Sequence, residues 1–259
     1  MVVATEVYNT SHIVMVWERN EACVGHFLEI FQPLENVTFI AASQRPLFEK
    51  QAVAHLGPSY ASFHEILRRF DVDRSPEKWH ALRREKYRLF KPVSFVLHEV
   101  FQFVTLHDIC HCIGVHIRHT DLDTHYSVAN TNHSSNIPFF HFIDSHTETN
   151  SSNPCVYLMT DNPTTQHIFL NRYGTSRLLV YDTIRSASVH HEANHRFTSL
   201  FHTLVDVLIT AFTSDFKGSK GSSLSELVWL FNVTFVNQSD FFETCSGSSS
   251  SNTRREIVI

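Results

Sequence analysis

Residues 113–122 read Ile113-Gly114-Val115-His116-Ile117-Arg118-His119-Thr120-Asp121-Leu122. A short, mostly apolar run ends in Arg118 and Asp121. Such a run without polar alternation fits a strand covered on both faces, as in a parallel sheet. Its polar groups then arrive at the carboxyl end, where open α/β sheets bind their ligands. Arg118 keeps its charge at any working pH and offers a planar fork of donors, a shape suited to a diphosphate. The alternative for the same residues is a strand whose terminal arginine pairs with a surface carboxylate.

Outward from this strand, short apolar runs alternate with helical patterns. Residues 12–17 read as a strand after a fragment, 2–8, resembling the last turns of a helix, and 37–42 read as a second strand. Phe63, Ile66, Leu67 and Phe70 fall at helical spacing. Ser75-Pro76 opens a further helix, and Lys91-Pro92 stops it. That stop predicts a boundary between a domain at 1–92 and a second at 93–245. In the second, Val93, Val96, Leu97, Val100, Phe101 and Val104 mark a helix, and 109–118 is the opening strand. Residues 127–153, rich in Asn, Ser, His and Thr, read as a long surface excursion. Residues 155–159 and 177–181 read as strands, with Thr160-Asp161-Asn162-Pro163 capping a helix between them. A wide apolar stripe runs from Phe197 to Phe212 and marks a core helix. Residues 215–225 read as a Gly/Ser-rich loop feeding an apolar helix, and 246–259 as a disordered tail. Strands alternating with helices predict an α/β fold with a parallel sheet.

Composition narrows the functional classes. The chain is 42% hydrophobic with a net charge of −5, so it can build a core and has no basic footprint for nucleic acid. No apolar run reaches about 18 residues, the length a membrane span requires. The opening residues lack the basic and apolar regions of a signal peptide. The five cysteines, at 23, 110, 112, 155 and 245, show no paired spacing and do not imply a disulfide framework. Six Asn-x-Ser/Thr sequons, at Asn9, Asn36, Asn132, Asn150, Asn232 and Asn237, permit glycosylation if the chain meets a secretory lumen.

Three polar segments follow successive strands: His116/Arg118/Asp121, Thr160/Asp161 and 218–225. A Gly/Ser-rich turn opening a helix presents backbone N–H groups and a positive dipole end to a phosphate, although Gly and Ser are also ordinary turn residues. Ser222, Ser223 and Ser225 add hydroxyls. Asp206 interrupts the 197–212 stripe; it either accepts from a ligand's donors or sits at the stripe's edge and meets water. His107, Cys110, His111, Cys112 and His116 are close in sequence, but with 109–117 as one strand Cys110, Cys112 and His116 share one face while His111 points to the other, and a closed tetrahedral site needs four converging ligands, so no metal site is expected. Gly-x-Ser-x-Gly, P-loop and Gly-x-Gly-x-x-Gly motifs are all missing from the sequence.

Four segments, in order, resemble one family. Val115-His116-Ile117-Arg118-His119-Thr120-Asp121 resembles the His-Val-Arg-Arg-Thr-Asp segment of the core alpha-1,6-fucosyltransferases and the rhizobial nodulation fucosyltransferases, relatives of the protein O-fucosyltransferases. Ile13 to Asn20 with Cys23, Phe27 and Phe31 resembles the family's N-terminal strand and its continuation. Tyr157-Leu158-Met159-Thr160-Asp161-Asn162-Pro163 resembles its Tyr-Leu-Ala-Thr-Asp-Asp-Pro motif. Leu204-Val205-Asp206-Val207, with Ser214-Asp215-Phe216 and Ser222-Ser223-Leu224-Ser225, resembles its last motif.

The resemblance implies a GT-B architecture, two Rossmann-like domains with GDP-fucose mainly on the second, and inverting transfer without metal or cofactor to a glycan or protein acceptor. It assigns Arg118 to the β-phosphate as the catalytic cation, His116 and Asp206 to the guanine, and Ser222 and Ser223 to the nucleotide. His119, Asp161 and Ser225 complete the expected donor site. His119 stands where the family has a second arginine, and Tyr126 where core enzymes have a glutamate, leaving Asp123 and His125 as candidate bases. The family's opening strand and glycine-rich loop precede the segment matched at 12–17, so the first domain is expected to be incomplete. The alternative function is a remnant that binds sugar nucleotide or glycan with little or no turnover. Eukaryotic relatives work in the Golgi or endoplasmic reticulum.

Overall fold

The computed structural model describes residues 12–17, 25–49, 76–118, 136–149, 154–160, 162–181, 199–236 and 257–258. The chain divides into two compact units, Met1–Val93 and Ser94–Ile259. It is an α/β protein with parallel sheets. Among the described residues no helix is long and apolar enough to cross a membrane.

In the first unit, β1 (Ile13–Val16) and β2 (Val37–Ile40) pair in parallel, Ile13 opposite Val37. Aromatic side chains hold this pair to the segment between the strands. Phe27 is buried and stacks on Phe39 with ring centroids 4.7 Å apart, and the Trp17 indole N–H donates to the Gly25 carbonyl at 3.0 Å. β2 stops at Ile40, short of Ala42, where a 3-10 turn leads into α1 (Arg45–Glu49). The helix expected after Ser75 is α2 (Pro76–Tyr87). The expected helical segments at 2–8 and 63–70 lie outside the described residues.

The second unit begins with α3 (Ser94–Leu106), whose Val96, Val100 and Val104 recur every four residues and are all buried. A 3-10 turn, Ile109–His111, follows, so the strand is shorter at its start than the apolar run suggested: β3 is Ile113–Ile117. Then come α4 (Ile137–Thr149), β4 (Val156–Thr160), α5 (Pro163–Tyr173), β5 (Leu178–Leu179), α6 (Leu200–Ala211), β6 (Asp215–Gly218), α7 (Ser223–Thr234) and β7 (Ile257–Val258). The spatial order is β5-β4-β3-β6-β7, and every pairing is parallel.

Three expectations are corrected here. Residues 137–149, read as part of a surface excursion, form α4, which buries Phe139 and Ile143. Residues 215–218, read as loop, are a strand beside β3. Ile257 and Val258, read as disordered tail, pair with Phe216 and Lys217 at the sheet edge.

Both faces of the sheet are covered. Val115, Ile117, Val156 and Leu158 pack against Phe139 and Ile143 of α4 and Phe169 of α5. The alternate residues meet the other layer: Tyr157 packs on Phe103 of α3, and the Cβ that Gly114 lacks would fall 2.4 Å from the Thr213 hydroxyl just after α6. Caps set the helix starts. The Asn162 side chain accepts from the Thr165 N–H at 3.0 Å with Pro163 at the first turn of α5, and the Ser199 hydroxyl accepts from the His202 N–H to open α6.

The cysteine expectation is also overturned. Cys112 and Cys155 form a disulfide with Cα atoms 4.5 Å apart, and Cys110 is disulfide-bonded as well. Cys112 immediately precedes β3 and Cys155 immediately precedes β4, and the register sets Ile113 opposite Val156. Parallel pairing therefore brings together two cysteines that lie 43 residues apart.

Candidate functional site

Strand order β5-β4-β3-β6-β7 means that the chain leaves β3 toward one edge and later returns to lie on its other side at β6. Carboxyl ends of strands at such a reversal splay their outgoing loops apart and leave a crevice for ligands. The residues after β3 and β6 are Arg118 and Ser219.

One serine ties these two strand ends. The Ser219 N–H donates to the His116 carbonyl at 2.9 Å, and its hydroxyl donates to the same carbonyl at 3.2 Å. That hydroxyl accepts from the Arg118 N–H at 3.0 Å. Arg118 is half-buried, and its backbone is anchored before its side chain begins. Anchoring reduces the conformational entropy that ordering a long side chain on a ligand would cost.

His116 sits beneath this rim, 2% exposed, with Nδ1 2.8 Å from the Ser225 hydroxyl. Ser225 is wholly buried in the first turn of α7. That contact needs helix and strand very close together, which Gly218 permits. A Cβ at 218 would lie 2.4 Å from the Ser225 Cβ and 2.5 Å from its hydroxyl. Gly218→Ala is therefore expected to push α7 off β6 and lower stability by about 1–3 kcal/mol, read as a fall in the urea midpoint at unchanged slope. An unchanged midpoint would contradict the close approach.

Residues 219–222 link β6 to α7. Gly221 has φ of 75°, a left-handed conformation that favours glycine, and the Ser222 N–H closes the turn onto the Ser219 carbonyl at 3.2 Å. Ser222 holds the N-cap position of α7, yet its side chain caps nothing. Its hydroxyl is buried and, among the described residues, has no hydrogen-bond partner. A buried polar atom without a partner costs about 1–3 kcal/mol, so its persistence calls for a reason. Here it lies at the positive end of a twelve-residue helix, where an anion finds free N–H groups and a favourable dipole.

The structure thus places His116, Arg118, Ser222 and Ser225 at or just beneath the carboxyl ends of β3 and β6 and adds Gly218 and Ser219. Ser223 opens α7 with its side chain exposed. His119, Asp123, His125 and Asp161 lie outside the described residues. Ser219 escaped the sequence reading because its role depends on register: only pairing His116 with Gly218 places it across from Arg118.

Asp206 is inside the fold, 3% exposed, and accepts from the Tyr157 hydroxyl at 2.5 Å. Tyr181 lies nearby and donates to Glu99 at 3.1 Å. Burial, then the neighbouring Glu99 and Asp206 carboxylates, push the Tyr181 phenol well above its usual range. Of the two readings of Asp206, water at the stripe's edge is replaced by a buried tyrosine donor. Tyr157→Phe is expected to cost about 1.5–3 kcal/mol, the range for a hydrogen bond to a charged group, measurable by denaturant melts. No loss would mean that the carboxylate does not depend on this phenol.

Among the described residues no group of His, Cys, Asp and Glu is arranged to hold a metal ion. Cys110 and Cys112, two members of the cluster considered above, are engaged in disulfides.

No family model and no curated protein matches the sequence. Among solved structures, the NodZ alpha-1,6-fucosyltransferase soaked with GDP-fucose aligns with 88% of this chain and 86% of its own, at 13% identity and a TM-score of 0.47. The same enzyme co-crystallised with GDP aligns with 87% of this chain and 83% of its own, at 13% identity and 0.48. The fucosyltransferase NodZ from Bradyrhizobium aligns with 88% of this chain and 86% of its own, at 13% identity and 0.46.

Proposed function

We propose that this chain is a glycosyltransferase that moves fucose from GDP-fucose to a glycan or protein acceptor, with inversion and without a metal ion. The observation that carries the reading is the buried Ser222 hydroxyl at the α7 N-terminus, without a hydrogen-bond partner among the described residues, across a strand reversal from the anchored Arg118. Anion-seeking groups of these kinds suit a sugar diphosphate, and the ordered motifs that resemble those of fucosyltransferases point to its base and sugar.

In this reading Arg118 binds the β-phosphate. As the glycosidic bond breaks, negative charge grows on the leaving GDP. A fixed guanidinium stabilises that charge more in the transition state than in the ground state. Ser222, Ser223 and the first N–H groups of α7 hold the diphosphate. His116 and Asp206 face the guanine, and Ser225 orients the His116 ring through the 2.8 Å contact. His119 and Asp161 complete the donor site, and Asp123 or His125 takes the acceptor's proton.

Calorimetric titration of GDP into the full chain tests binding, and radiolabelled GDP-fucose over an acceptor panel tests transfer. Saturable binding with fucose appearing on an acceptor is expected. Binding with neither transfer nor fucose release would favour the remnant reading, which His119 in place of a second arginine supports. Absence of nucleotide binding would remove both.

A further inference from the structure

Two of the Asn-x-Ser/Thr sequons fall among the described residues, and the fold treats them oppositely. Asn36-Val37-Thr38 lies where the chain turns into β2. Asn36 is exposed, has φ of 60°, and uses its backbone carbonyl to accept from the Ile13 N–H at 2.8 Å. Asparagine tolerates this left-handed conformation better than most residues. The sheet thus engages the backbone of Asn36 while the residue stays open to solvent, and a large substituent there displaces no core contact. Asn232-Val233-Thr234 lies in α7. Asn232 is 5% exposed, and its Nδ2 donates to the Ala211 carbonyl at 2.7 Å. A sugar on that nitrogen would fill the space between α6 and α7.

A second observation bears on the compartment. The Cys112–Cys155 bridge and the disulfide at Cys110 are groups that persist in oxidising surroundings such as the secretory lumen. Sequons are read in that lumen.

We propose that Asn36 carries an N-linked glycan and that Asn232 does not. The co-reactant is a lipid-linked oligosaccharyl diphosphate. The bond from the sugar's C1 to the diphosphate oxygen breaks, a bond from C1 to Asn36 Nδ2 forms, the amide nitrogen gives up one proton, and the lipid diphosphate departs.

The test is secretion of the full chain from a eukaryotic host behind a cleavable signal, then peptide N-glycosidase digestion in heavy-oxygen water and peptide mass spectrometry. Label at Asn36 and none at Asn232 is expected. Asn36→Gln and Thr38→Ala should each remove one glycan from the mobility ladder of the secreted protein, the second while leaving Asn36 in place. An unlabelled Asn36 peptide, label at Asn232, or two variants that migrate with the parent would each overturn the proposal.

Discussion

Arg118→Ala is expected to weaken GDP binding by roughly 100-fold or more in calorimetric titration and to reduce fucosyl transfer by a further margin. In the proposed donor complex the guanidinium makes a bidentate pair of charge-assisted hydrogen bonds to the diphosphate, and alanine would remove both. Each is worth about 1.5–3 kcal/mol, and each 1.4 kcal/mol is tenfold in affinity. The loss in rate should exceed the loss in affinity, because charge on the leaving diphosphate is larger in the transition state; comparable donor deletions cost about 10²–10³ in kcat. Arg118→Lys should fall between the two, since it keeps the charge but loses the planar fork. Ser219→Ala should weaken binding less than Arg118→Ala, because it loosens the Arg118 backbone and leaves the guanidinium in place. Unchanged GDP affinity in Arg118→Ala would end the case for a sugar-nucleotide enzyme.

The readable parts of this chain are those where one periodicity dominates. β3 and β4 show as unbroken apolar runs because both faces are covered, and every residue of each is buried. α3 and α6 show through apolar spacing that matches their buried faces. The helix α4 was hidden by its flanks: Phe139, Phe142 and Ile143 have helical spacing, yet they sit between stretches of Asn, Ser, His and Thr. The strand β6 is four residues long, Asp215-Phe216-Lys217-Gly218, too short to outweigh the Gly and Ser that follow it. His116 and Arg118 were legible as polar groups at a strand's end. The contacts that locate them were not, because Ser219 and Ser225 lie more than 100 residues away and meet them only through sheet register. Asp206 showed itself as an anomaly in an apolar stripe, but its tyrosine partner comes from a neighbouring strand that the stripe cannot indicate.

Register also governs the second large effect. Removing the Cys112–Cys155 bridge with a Cys112→Ala, Cys155→Ala pair is expected to lower stability by about 4 kcal/mol, from the loop-closure entropy of a segment of this length. The bridge closes 43 residues, including all of α4. Breaking it frees that segment in the unfolded chain, while the folded strands still pair through Ile113 and Val156. For a chain of this size the melting temperature should fall by roughly 10 °C. Alanine is the better substitute, because Cys112 is fully buried and a serine hydroxyl there would need a partner. The bridge lies at the amino ends of β3 and β4, whereas Arg118 follows the carboxyl end of β3. Below the shifted melting point, GDP affinity should therefore match the parent protein. Stability and affinity falling together would place the bridge in the site's own framework, and an unshifted melt would show that the two sulfurs contribute nothing to the fold. A pair of variants isolates this bond in a way that a reductant cannot, because Cys110 is also held in a disulfide and would open with it.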